Sequence, residues 1–99
     1  MTEQLTPDHF RPHVDKAFGV RGGRHHLVLT EVDVRRLEGS EAQEVPRQPF
    51  NLIFRGPPGD VLTEGMYMLE LEGGPAFELY VIPIHTPRKD RQNYQASFN

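Results

Sequence analysis

Five histidines are the side chains in this sequence best suited to metal or acid–base chemistry. His9 and His13 are spaced i, i+4, which on a helix would put two ligands on one face. Pro12 lies between them and interrupts that helix. His25 and His26 are adjacent on a strand, so they point to opposite faces and cannot chelate together. His85 falls just past a strand end. A metal site would need three of these five to converge from distant segments, with His13, His25, His26 or His85 as ligands. The chain has no cysteine, which excludes disulfides, thiolate nucleophiles and cysteine-type zinc sites. On this reading no metal and no cofactor is called for, and no residue is assigned a catalytic role.

Other reactive groupings are weaker. Glu70 and Glu78 come opposite each other in the register worked out below, and paired carboxylates can act as acid and base. On an exposed sheet face they are more simply a solvated pair, bridged by a neighbour such as Arg55. Ser40 sits in an acidic stretch and Ser97 near the chain end, neither in a glycine-flanked nucleophile elbow. Arg21-Gly22-Gly23-Arg24 reads as a turn rather than an RNA-binding repeat. Arg88, Lys89, Asp90 and Arg91 form a short basic run broken by an acid, which reads as a solvated loop.

The elements that carry these residues are short. Residues 5–10 form a helical turn with Thr6 as cap, Pro7 at its first position, and Leu5 and Phe10 placed as a hydrophobic staple. Residues 16–29 form a hairpin through a two-residue turn at Gly22-Gly23 that needs positive φ. In that register Arg21 faces Arg24, Val20 faces His25, Gly19 faces His26 and Phe18 faces Leu27, so Phe18, Val20, Leu27 and Leu29 share one face. Leu27 and Leu29 are odd positions while Val32 and Val34 are even, and a period-2 pattern changes parity only by slipping one residue. A bulge near Thr30–Glu31 follows. Residues 38–48 are polar and acidic, a mobile loop. Phe50, Leu52 and Phe54 line one face of the next strand, which stops at Gly56-Pro57-Pro58-Gly59.

A second hairpin spans residues 66–84. A three-residue loop at Gly73-Gly74-Pro75 sets Leu71 against Phe77, Leu69 against Leu79 and Tyr67 against Val81. Its other face is unexpectedly apolar, with Met66 opposite Ile82 and Met68 opposite Tyr80, Ile53 on the preceding strand, and Ile84 continuing the row. Either the fold covers this patch, through the N-terminal arm with Leu5 and Phe10 or through its far wall, or a partner does. Ile53, Met66, Met68, Tyr80 and Ile82 are therefore the candidate interaction surface. The last strand alternates through Tyr94, Ala96 and Phe98. The expected fold is all-β, a small six-stranded, mostly antiparallel barrel or compact sandwich with a short N-terminal helical turn.

Length and composition agree. Ninety-nine residues, with 36% hydrophobic and 25% charged, fit a single β domain over residues 1–99 with one core. Nine glycines and nine prolines call for many turns and hence short strands. The net charge of -3 and the absence of a basic stripe argue against nucleic acid. No apolar run approaches a membrane span of ~20 residues and no secretory core is visible, so the expected setting is cytoplasmic, without membrane contact.

One series of residues resembles a known family. It runs Phe10-x-Pro12-His13-Val14, Phe18-x-Val20 and Leu27-x-Leu29-x-Glu31-Val32, then Pro49-Phe50-Asn51-Leu52-Ile53-Phe54-Arg55-Gly56-Pro57 and Gly65-x-Tyr67-x-Leu69-Glu70. It closes with Leu79-Tyr80-Val81-Ile82-Pro83-Ile84 and Tyr94-x-Ala96-x-Phe98-Asn99. It is similar to a bacterial family of short β-rich proteins catalogued only as a domain of unknown function, often encoded near phage-tail-collar-like, "microcystin-dependent" proteins. The resemblance covers the chain from about Phe10 to Asn99 and is most specific at Phe-Arg-Gly-Pro and the closing Phe-Asn. It implies an accessory to a tail-fibre-like assembly and brings no catalytic residues. The expected function is a non-enzymatic structural or protein-interaction module that meets a protein partner, or itself, through the apolar sheet face. The alternative is a small-ligand or metal-binding barrel, with or without enzymatic activity.

Overall fold

Strands that alternate apolar and polar residues must bury one face, and six of them can do so by curling the sheet until its edges meet. That is the architecture of this chain, described from a computed structural model for residues 5–34 and 49–98. The strands are β1 (Ala17–Val20), β2 (His26–Val34), β3 (Phe50–Gly56), β4 (Gly65–Leu71), β5 (Ala76–Pro83) and β6 (Gln92–Phe98). They form a closed barrel in the order β1-β2-β3-β6-β5-β4, with every neighbouring pair antiparallel. Of the two expected architectures, the barrel is the one formed. The expected mobile loop at 38–48 lies outside the described residues.

The order contains two three-stranded meanders, β1-β2-β3 and β4-β5-β6, joined along the seams β1/β4 and β3/β6. β3 and β4 lie diametrically opposite, so the connection 57–64 has to cross the mouth of the barrel. It drops Leu62 into that mouth, where the residue is 8% exposed, and the buried Tyr94 hydroxyl accepts the Leu62 N–H at 2.8 Å. The opposite mouth is stopped by Phe10. Thr6, Pro7 and Asp8 start the short helix α1 (Pro7–Phe10) as expected, and His9 Nδ1 accepts the Thr6 N–H at 2.9 Å, closing the cap from inside the first turn. A single 3-10 turn, Arg11–His13, then ends the helix at Pro12. Phe10 is fully buried among Phe50, Phe77 and Phe98, at ring-centroid distances of 6.1, 4.7 and 5.7 Å.

Between the stoppers the interior is solid. Phe18, Leu27, Leu29, Leu52, Phe54, Leu69, Val81 and Tyr94 are fully buried. A six-stranded barrel is narrower than the eight-stranded ones whose bore side chains just fill, so a filled core is its natural state. Gly56 marks the tightest point: a Cβ there would lie 2.9 Å from Leu27 Cδ2 and 3.2 Å from Tyr94 Cε1. The expected bulge is present. Leu29 pairs with Phe54 and Glu31 with Ile53, leaving Thr30 as the extra residue, and its hydroxyl donates to the Ile53 carbonyl at 3.0 Å. The slip turns Val32 and Val34 inward to pack on the core.

Two turn assignments need correction. The first hairpin keeps its expected register, Phe18 to Leu27 and Gly19 to His26, but its turn is not at Gly22-Gly23. The Gly23 N–H donates to the Val20 carbonyl at 3.1 Å, which centres the turn on Arg21-Gly22, and of the two glycines only Gly22 has positive φ, at 80°. The reason is a competing partner: the Arg21 N–H is drawn to the Met68 carbonyl of β4 at 2.9 Å. The second hairpin is displaced by two residues. Tyr67 pairs with Leu79 and Leu69 with Phe77, while Leu71 faces Pro75 across the loop Glu72-Gly73-Gly74. Gly73, at φ 71°, takes the left-handed position of the turn closed by Gly74 N–H to Leu71 carbonyl at 2.9 Å. Pro75 has no N–H to give, so it sits where only its carbonyl is asked for, accepting the Leu71 N–H at 3.0 Å.

Replacing Phe10 removes one stopper. Phe10→Ala is expected to cost about 3–5 kcal/mol of stability in chemical denaturation. A loss under 1 kcal/mol would show that Phe10 does not hold that mouth shut.

Candidate functional site

With the interior filled, chemistry is left to the outer wall and the loops at each end. The candidate interaction residues all point outward, but their partners differ from the expected ones because of the two-residue displacement. Met66 lies opposite Tyr80, not Ile82, and Met68 lies opposite Glu78, not Tyr80. Ile82 and Ile53 both flank Gln95 of β6, so the row Ile53–Gln95–Ile82 crosses three strands, and Tyr80 and Met66 extend it onto β5 and β4. Met66 is 58% and Tyr80 46% exposed, whereas Ile53, Met68 and Ile82 are half-buried. Phe10 turns into the barrel and packs on Phe77 and Phe98, so Phe10 itself does not cover this stripe.

Charged groups border the stripe. The Tyr80 hydroxyl donates to the Glu64 carboxylate, and this hydrogen bond is the main reason its pKa is raised above the ordinary phenol value, with burial and the Glu64 charge adding to it. Glu31 faces Ile53 from β2. Glu70 and Glu78 are not opposite each other. Glu70 faces Ala76 and forms an ion pair with Arg21 across β1/β4, and Glu78 faces Met68, so the expected carboxylate pair does not exist.

The histidines are dispersed. His9 caps α1 through Nδ1. His13 stands edge-on to Phe18 at 6.1 Å with its Nδ1 enclosed and without a hydrogen bond among the described residues. His25 Nε2 approaches Asp60 at both the carbonyl, 3.2 Å, and the carboxylate, 3.4 Å, tying the β1–β2 turn to the crossing segment, and Arg24 reaches the same carboxylate at 2.9 Å. His26 lies on the opposite side of the strand, its ring over Gly19, and His85 is exposed. Among the described residues no three His, Asp or Glu side chains are grouped to hold a metal ion. Leu62 as stopper and Glu64 as partner of Tyr80 escaped sequence reading. Neither has a periodic signal, since both lie in the loop whose path is set by the barrel's topology.

Comparison with known proteins bears on this arrangement as a whole. The model of a protein family described as Domain of unknown function (DUF6916) matches residues 5–98. The chain belongs to the DUF6916 family. The match takes in both stoppers and all six strands of this DUF6916 barrel, and agrees with the sequence resemblance to a domain of unknown function. No curated protein and no solved structure matches the chain. Among the described residues no helix is long and apolar enough to cross a membrane.

The Tyr80–Glu64 contact of this DUF6916 barrel can be read directly. Ionising the phenol would set a phenolate beside a carboxylate, so the Tyr80 ring signal followed by carbon NMR should titrate later than an ordinary tyrosine. Glu64→Gln should bring the transition back toward the ordinary value. An unchanged curve in the variant would mean the hydrogen bond does not form in solution.

Proposed function

We propose that this chain is a non-enzymatic structural or protein-interaction module whose docking face is the outer stripe of Ile53, Met66, Met68, Tyr80 and Ile82. The observation that carries the reading is the pair Met66 and Tyr80, side by side on neighbouring strands and 58% and 46% exposed on a wall that needs only polar residues. Methionine adapts to a partner's contour, and tyrosine offers a rigid ring with a polar tip, here already held by Glu64. Both types are enriched at protein interfaces. The bore supports the same reading, since among the described residues it is packed with buried apolar side chains.

Following the family resemblance, the partner is a tail-collar-like protein of a bacterial tail-fibre-like assembly, met in the cytoplasm. Nucleic acid is a poor partner for a chain of net charge -3.

Met66 is the residue to change, because it is the more exposed of the two stripe methionines and its replacement leaves the core untouched. Size-exclusion chromatography with light scattering, on the chain co-expressed with a tail-collar-like protein, should show a complex for the wild type. Met66→Glu should weaken it at least about tenfold, as for a central interface residue, while thermal stability moves by no more than a surface change does, about 0.5 kcal/mol. A complex equally strong in Met66→Glu and Tyr80→Lys, or no complex and no self-association at all, would overturn the proposal.

A further inference from the structure

A second feature of the outer wall stands apart from the apolar stripe. At the Leu62 end of the barrel, β2, the end of β3 and the β5–β6 loop enclose a groove of about 340 Å³ lined by His26, Val28, Arg55, Gly56, Pro57, Asp90 and Arg91. The volume falls at the small end of the range for small-molecule sites. Its lining is unusual for an acidic chain, because two guanidinium groups and an imidazole face one space.

What these groups are not doing is the informative part. The Arg55 side chain makes no ion pair or hydrogen bond among the described residues, although its backbone pairs with Val28 on one side and Asn93 on the other. Arg91 Nε is enclosed and lacks a hydrogen bond among the described residues; it forms only a long ion pair with Asp90 Oδ1, at 3.5 Å. Asp90 is shared between two arginines: Arg88 holds both of its carboxylate oxygens, at 3.0 and 2.8 Å, and Oδ1 also pairs with Arg91, so its single charge does not offset both of them and leaves Arg55 without an acidic partner among the described residues. A surplus of positive charge therefore faces the groove, with planar donors of the kind that grip an oxyanion two-handedly. Val28 and Pro57 add an apolar border beside the charged centre.

We propose that this groove binds the phosphate group of a small phosphate monoester, with Arg55 and Arg91 holding the phosphate oxygens, His26 donating from β2, and the organic part resting on Val28 and Pro57. The inference is independent of the docking stripe. It predicts a ligand preference in the order phosphate monoester, inorganic phosphate, carboxylate, since each step down removes either the apolar contact or a charge.

The test is an amide NMR titration of the full chain with phenyl phosphate, inorganic phosphate and acetate at one fixed salt concentration near 0.1 M, which screens long-range charge attraction equally for all three. Phenyl phosphate should give saturable shifts confined to His26, Arg55, Gly56 and Arg91. Inorganic phosphate should bind more weakly at the same residues, and acetate weaker still. Arg55→Ala and Arg91→Ala should each weaken phenyl phosphate binding at least tenfold, and Lys89→Ala, an exposed residue of the same loop, should change it less than twofold. Non-saturating shifts, shifts spread over other basic residues, or equal responses to acetate and phenyl phosphate would overturn the proposal. Should Arg91→Ala disturb the loop, Arg55→Ala alone decides, since Arg55 is an exposed side chain on an intact strand.

Discussion

A ring of six strands can close only around a bore that side chains fill, and the chain must then also shut both mouths. Everything else in this structure depends on that filling. One mouth is stopped by Phe10, delivered by a single capped helical turn. The other is stopped by Leu62, delivered by a segment that has no choice of route because it joins two diametrically opposite strands. The hydrogen bond from the Leu62 N–H to the Tyr94 hydroxyl satisfies a polar backbone group that the crossing carries into the apolar mouth. The same demand explains Gly56, where the wall comes so close to Leu27 and Tyr94 that a methyl group would intrude.

Because the bore is full and the ladders are engaged around the ring, the surface available for recognition is the outward half of each strand and the loops that overhang it. The apolar stripe and the cationic groove divide that surface between them. They approach each other on β3, where Ile53 belongs to the stripe and Arg55, two residues on and pointing the same way, belongs to the groove. The bulge at Thr30 shapes both. It leaves Val28 outward beside Arg55 and brings Glu31, rather than an apolar residue, to face Ile53, so the stripe ends in charge on its β2 side.

Much of the fold was legible because alternation is a strong signal wherever a strand has one dry face. The parity change between Leu29 and Val32 located the bulge, and the facing of Phe18 to Leu27 followed from the hairpin. The second hairpin was read two residues out of place for an equally physical reason. A slip of two preserves every side chain's face, so alternation cannot detect it, and apolar pairs look equally good in both registers. What distinguishes them is backbone chemistry at single residues, namely the missing N–H of Pro75 and the left-handed φ of Gly73. The members of the stripe were found because each is an apolar residue in an outward position. The groove was not, because His26, Arg55 and Arg91 come from three separated segments and only barrel closure brings them together.

The seams between the two meanders carry a further consequence, in the time domain. Phe18 pairs with Leu71 and Phe50 with Phe98, residues about fifty apart in the chain. Neither meander can bury its apolar face alone, so both long loops must close before the burial that compensates for closing them is complete. Barrels dominated by such distant pairings fold on the scale of milliseconds to seconds. Within that interval the curled halves expose strand edges that the finished ring conceals. Those edges are β1 and β3 in one half and β4 and β6 in the other; Gly56-Pro57 cuts the β3 edge short, and the outward Arg55 and Glu70 place charges on the β3 and β4 edges, which discourages pairing with the edges of another chain.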